Sequence, residues 1–336
     1  MKLSKKLPLV ILATAAVAIL IIGGSDYFRT SSALRHNAET KLNALMQVRK
    51  ESLASYLDTI RQDLRFQAAN PIVVDALGEF TTAWHGMGGG QTEKLQKLYI
   101  NDNPHPTGKK EELDLAPDGS AYSRIHGKYH PWLRTFLRER GYYDIFLFDT
   151  KGNLVYTVFK ELDYATNLAT GKWRDTDLGN AFRSAVEKPK AGTQNFFDFK
   201  PYAPSAGAPA AFISTPVFDR SGKNIGALAF QMPIDKMNEV MQSSVGLGKT
   251  GETYIVGADH LMRSNSRFSK EATILTRKID TVPAQFALDG KTGVMEAKDY
   301  RGVDVVSAYG LLEFLGARWA LLGEADSAEV FAELYN

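Results

Sequence analysis

The chain has 336 residues, 44% of them hydrophobic and 23% charged, which excludes wholesale disorder, collagen-like repeats and a multi-span membrane protein. Lysine and arginine number 40 against 38 acidic residues, so the net charge of +2 gives no broad basic field for nucleic acid. Cysteine is absent, which excludes disulfides, thiolate zinc sites, iron–sulfur clusters and a cysteine nucleophile.

Lys2, Lys5 and Lys6 precede an uncharged apolar run at residues 7–22, followed by Gly23 and Gly24. As a helix, 18 such residues cover about 27 Å, enough for a bilayer core. The run is long for a cleaved signal peptide and no A-x-A site follows it, so residues 1–24 read as an uncleaved signal anchor. The three lysines then stay cytoplasmic and the rest of the chain lies outside.

Residues 28–69 contain no glycine or proline, and Leu34, Ala38, Leu42, Leu45, Val48, Leu53, Tyr56, Ile60 and Leu64 recur near the helical period. A long stalk helix is predicted within the segment 25–75, with Pro71 marking its end. Its single apolar stripe suits packing along a globular body or against a second copy, a homodimer through the stalk.

Residues 84–127 are rich in loop signals, and a short helix is predicted over 132–140. Residues 144–149 and 154–160 read as a β-hairpin, followed by a helix at 176–187 and strands at 194–200, 210–218 and 225–232. A helix runs from Pro233 and Asp235 to about residue 244. The order then repeats in shortened form: a hairpin at 252–264, a helix at 282–288, and strands at 293–299, 304–311 and 319–324. The fold class is therefore α+β: two tandem PAS-like modules with five-stranded antiparallel sheets, a distal one at 76–245 and a membrane-proximal one at 246–336.

Three motifs invite chemistry. Gly246-Leu247-Gly248-Lys249-Thr250 resembles the end of a phosphate-binding loop, but Ser243 stands where its first glycine belongs and a helix precedes it, so it reads as a linker. His126 and His130 have metal-like spacing, but Gly127 and Pro131 argue against a regular helix, so they read as surface histidines and no metal site is assigned. No triad order or nucleophile elbow occurs, so no catalytic residue and no cofactor is assigned.

The distal module is rich in tyrosine, tryptophan and charged side chains suited to a small-molecule pocket. Tyr143, Asp144, Tyr156, Lys160, Asp198, Tyr202 and Gln231 are its predicted ligand-binding residues. Tyr156 and Lys160, and likewise Asp198 and Tyr202, are evenly spaced and share a face if each strand is regular. Lys160 suits a ligand carboxylate; the alternative is that it pairs with Asp144 or Asp163. The proximal module is poorer in such groups.

The segments GYYDIFLFDTKGNLVYTVFKELDYATNL (141–168), AAFISTPVFDRSGKNIGALAFQMPIDKMNEVM (210–241), GLGKTGETYIVGADHLMRSNSRF (246–268) and RWALLGEADSAEVF (318–331) resemble the double-Cache sensor region of bacterial transmembrane receptors, above all methyl-accepting chemotaxis proteins. The resemblance implies a single-pass inner-membrane protein with a periplasmic sensor whose distal module binds a small ligand. Gln231 departs from the family's pattern, where an Asp on the last distal strand meets a ligand amine. No apolar run of membrane length follows residue 324, so no output domain is expected in the chain. The alternatives are the sensor half of a histidine kinase or nucleotide cyclase, or a membrane-anchored enzyme or structural protein.

Overall fold

The computed structural model describes the backbone of residues 3–332, and side chains from residue 11 onward except 12, 13, 27 and those after 332. The first helix, α1 (Leu3–Ala69), is unbroken. At 1.5 Å per residue it extends about 100 Å. Among the described residues no helix is long and apolar enough to cross a membrane, and residues 1–10, 12 and 13 of the predicted anchor lie outside the described side chains.

The stripe of α1 is buried at Leu42, Met46, Leu53, Leu57, Ile60 and Leu64, while Val48 is exposed. It packs along the chain's own body, against β-strands of both sheets. Asn70 ends α1 and caps the next helix: its side chain accepts a hydrogen bond from Ile72 N, and Pro71 opens α2 (Pro71–Gly86), where its missing N–H costs nothing. A short α3 (Gln91–Gln96) runs into a π-helical turn at Lys97–Asn101.

The predicted short helix is longer than expected. α4 (Ala121–Arg140) includes Gly127 and Pro131 and begins at a Ser120 cap. It ends at Gly141, whose φ of +75° lets its N–H reach back to the carbonyls of Leu137 and Arg138. This reversal delivers Tyr142 and Tyr143 to the start of the first strand.

The distal sheet contains β1 (Asp144–Asp149), β2 (Leu154–Thr157), β3 (Asn195–Tyr202), β4 (Ala208–Phe218) and β5 (Asn224–Gln231), in spatial order β2-β1-β5-β4-β3, all antiparallel. One face carries Ile145, Leu147, Ile213, Leu228 and Phe230 toward α1, α2 and α4. The other carries Phe146, Phe148, Phe212 and Ala229 toward α5 (Asp177–Val186), which Thr176 caps. This is period-two patterning with both faces covered.

After α6 (Ile234–Gln242), the proximal sheet contains β6 (Glu252–Gly257), β7 (Gly293–Lys298), β8 (Asp304–Phe314) and β9 (Ala317–Asp326), in order β6-β9-β8-β7, with α7 (Val282–Leu288) on one face and α1 on the other. It has four strands, not five. Leu261 and Met262 make isolated bridges to Lys278 and Val256 instead of a ladder, and the neighbouring Arg263 side chain pairs with Asp198 and Asp259. A one-turn α8 (Ser327–Val330) follows β9.

Candidate functional site

The candidate site gathers where β1 and β2 part. Asp144 opens β1 and is fully buried; its Oδ1 accepts hydrogen bonds from the N–H groups of Ile145 (2.7 Å), Val158 (2.9 Å) and Phe159 (3.1 Å). The carboxylate thus replaces a neighbouring strand for the chain leaving β2, and its second oxygen has no partner. β2 ends at Thr157, so strand alternation does not relate Tyr156 to Lys160. Lys160 instead adopts φ +61°, a strained conformation for a side chain with a Cβ, and its N–H donates to Thr157 Oγ1.

That turn folds the Lys160 side chain inward. The Nζ donates to the carbonyls of Thr157 and Val158 and lies 4.6 Å from the ring centre of Tyr156 and 5.1 Å from that of Tyr164. No carboxylate comes within 4 Å of it among the described residues, so the predicted pairing with Asp144 or Asp163 does not form an ion pair. Burial pushes the ammonium down to about 7, against the opposing pull of Asp144 and Glu111.

Two carboxylates that the spacing argument did not place in the site stand close enough to Asp144 to act on its charge. Asp163 is buried; its Oδ2 accepts from Tyr202 Oη (2.6 Å), its Oδ1 has no partner, and burial raises it to about 7. Glu161, also raised by burial, accepts from Tyr143 Oη (2.8 Å) and Ser205 Oγ. Asp144 is pushed well above the usual carboxylate range by burial, then by Asp163 and Glu161. Gln231 lies opposite Asp144 in the β1–β5 ladder, 1% exposed, with its Oε1 unpartnered. Beside this group, Tyr143, Phe159, Lys160, Glu161 and Ser205 line a cavity of about 480 Å³, with Tyr143 stacked on Phe159.

Six of the seven predicted residues therefore fall in or against one region; Asp198 does not. β3 carries one extra residue between Phe197 and Lys200, whose partners Phe212 and Ala210 are only two apart. This bulge breaks the even-spacing relation to Tyr202. Asp198 faces the proximal module, accepting from Trp319 Nε1 (3.1 Å) and pairing with Arg263 (3.0 Å). No sequence signal marks the bulge.

The two histidines are a correction. They are not on the surface: α4 buries both completely, with rings stacked 4.3 Å apart. Gly127 leaves room for Leu115, 3.4 Å from where a Cβ would stand. Burial holds both imidazoles neutral. His130 Nε2 therefore donates to the Glu111 carbonyl (2.6 Å) and its Nδ1 accepts from Tyr156 Oη (2.6 Å). Among the described residues no cluster of three metal-binding side chains occurs.

The proximal module holds its own buried carboxyls, Glu252 and Glu324, directly opposite each other on β6 and β9. There every oxygen is matched: Glu252 accepts from Tyr300 and Ser266, Glu324 from Ser307 (2.8 Å) and Tyr254 (2.9 Å).

The chain matches the double-Cache family profile, described as a Cache domain, over residues 30–334. It belongs to that family of sensory, non-catalytic domains, which in chemoreceptors are extracytoplasmic. Solved structures share the fold at low identity. The extracellular domain of the putative histidine kinase vpHK1S-Z8 is 10% identical, with 89% of this chain and 96% of that one covered and a TM-score of 0.56. A putative sensory box/GGDEF family protein domain from Vibrio parahaemolyticus is 12% identical, covering 88% and 98%, with a TM-score of 0.53. The ligand-binding domain of the Pseudomonas fluorescens chemoreceptor CtaA, in complex with L-isoleucine, is 13% identical, covering 91% and 99%, with a TM-score of 0.48. No curated protein matches the sequence.

Proposed function

We propose that the chain is the extracytoplasmic sensor region of a transmembrane receptor of the chemoreceptor type, binding a small polar ligand in its distal module. One contrast carries the reading. The buried carboxyls of the proximal module are fully hydrogen-bonded by their own neighbours, whereas Asp144 Oδ2, Asp163 Oδ1 and Gln231 Oε1 in the distal module have no partner. Unmatched buried polar oxygens cost about 1–3 kcal/mol each, a cost that a ligand bearing complementary hydrogen-bonding groups removes. The ligand has polar groups that complete these hydrogen bonds, and Lys160 lines the cavity to meet a carboxylate on the same molecule.

Membrane attachment through residues 7–22, with Lys2, Lys5 and Lys6 on the cytoplasmic side, is part of this proposal. It is supported by the continuity of α1 and by the exposure of Ile11, Val17, Ile19, Leu20, Ile21 and Ile22. The buried stripe of α1 is used within the chain, so a homodimer through the stalk would use other positions, such as exposed Val48 and Phe66. Sensor regions of kinases and GGDEF proteins share this fold, so the output partner is a matter for the encoding locus, not for the sensor.

A thermal-shift screen of small amines, amino acids and carboxylates on the purified chain, followed by calorimetry of the best ligand, tests the reading. Lys160→Ala and Gln231→Ala should each weaken binding about ten- to hundredfold. Unchanged affinity in both, or an equal loss from Glu252→Gln in the proximal module, would sink the assignment.

A further inference from the structure

The loop Gly246-Leu247-Gly248-Lys249-Thr250, which resembles a phosphate cradle in sequence, holds an anion from its own chain. Glu329 of α8 places Oε1 2.9 Å from Lys249 N and Oε2 2.8 Å from Thr250 N, and the Thr250 hydroxyl donates to Oε2. The same hydroxyl accepts from Asp326 N (3.1 Å). Successive backbone N–H groups converging on a carboxylate form an anion nest. Gly248 is required by it twice: its φ is +67°, and a Cβ there would stand 2.5 Å from Glu329 Oε1.

The two sides of this contact belong to different parts of the molecule. The loop continues from β5 and α6, so it is the covalent path out of the distal module, and Gly246 rests on Leu45 of α1. Glu329 sits on the segment after β9, whose single helical turn buries no side chain of its own. Among the described residues beyond it, Phe331 is buried, with the Arg35 guanidinium of α1 5.4 Å from its ring centre. A cavity of about 410 Å³ separates Val330 from Leu34, Ala38 and Leu42 of α1. The segment thus takes its apolar packing from Val330 and Phe331, borders an open cavity, and makes a charged contact to the inter-module loop through Glu329.

We propose that Glu329 is a latch: its seat in the loop leaving the distal module sets the position of residues 327–331 against α1, and unseating it releases that segment while the sheets stay folded. The absence of cysteine makes the test direct. Nitroxides at Ser32→Cys on α1 and Ala328→Cys on α8, in the full chain, report the distance between them by electron–electron resonance. The latched chain should give one narrow distribution. Glu329→Ala and Gly248→Ala should each add a second, displaced population. Amide exchange at Lys249, Thr250 and residues 327–331 should rise about tenfold or more, as expected for losing hydrogen bonds to a charged group, with β8 and β9 unchanged. An unchanged distribution in Glu329→Ala overturns the proposal. So does exchange that rises equally through β8 and β9, which would make Glu329 a general support of the module. Should Gly248→Ala fail to fold, Thr250→Val, which removes the hydroxyl and keeps the N–H, gives a partial release on the same two readouts.

Discussion

Asp163 and Lys160 are buried within a few residues of each other, yet their titrations affect stability in opposite pH windows. The folded Asp163 carboxyl is raised from 3.8 to about 7, so the folded chain holds its proton where the unfolded chain has released it. Its contribution is fully present below about pH 4 and is lost as pH rises toward 7. Lys160 is lowered from 10.5 to about 7, so the unfolded chain binds the extra proton, and stability from this group is regained as pH rises from 7 through 10.5. With only these two groups considered, stability is lowest near neutrality. Asp163→Asn should remove the fall between pH 4 and 7, a difference of up to about 4 kcal/mol. Urea midpoints of wild type and variant measured across that range check it; parallel curves would show that Asp163 is not held neutral. Gly226 is a second position where one atom decides. Its φ is +149° and a Cβ would stand 1.9 Å from the Phe148 carbonyl oxygen, across the β1–β5 ladder. Gly226→Ala should therefore cost more than about 3 kcal/mol, read from the chemical denaturation midpoint.

At the scale of elements, the joint between modules is built by the β3 bulge. It turns Asp198 away from the distal pocket and toward Arg263, which is 4% exposed and also held by Asp259, and toward Trp319, whose ring meets Phe196, Phe199 and Phe314. Asp198→Ala leaves a buried guanidinium with one carboxylate and an indole N–H with none. A loss of about 2–4 kcal/mol is expected, with Trp319 fluorescence shifted in the folded state. Stability within 0.5 kcal/mol of wild type (roughly the scatter of surface substitutions) would show the joint to be incidental. The same bulge shows what was readable in the sequence. Strands β1, β4 and β5 and helices α5 and α7 follow from alternation, caps and turn residues, which act locally. Asp144 and Gln231 follow from position at strand ends. What could not be read depends on distant partners: the inserted residue of β3, the αL turn at Lys160 that brings it back over Tyr156, and the burial of His126 and His130. There Gly127 and Pro131 argued locally against a helix that tertiary packing nevertheless completes.

On the scale of the whole molecule, α1 makes one body of two modules. A single apolar core runs from Phe230 and Ile213 of the distal sheet, through Leu53, Leu57, Ile60 and Leu64 of α1, to Leu312, Leu321 and Trp319 of the proximal sheet. The proximal sheet leans on the helix most closely at its glycines. Met46 lies within 3.4 Å of where Cβ atoms on Gly310 and Gly323 would stand, so these two residues let the helix approach β8 and β9. A four-stranded sheet with only α7 on its other face has no second layer on that side without α1. Met46→Ala removes a fully buried side chain from this contact, and the rigid backbone on both sides cannot collapse into the space, so a loss of about 2–4 kcal/mol is expected. Because the core is shared, the loss should register in both modules. Slow-exchanging amides of β5 in the distal sheet and β9 in the proximal sheet should accelerate by the same factor, and thermal unfolding should remain a single transition. Acceleration confined to β9, with β5 unchanged, would mean that the modules unfold separately and that α1 is a track they share without coupling them.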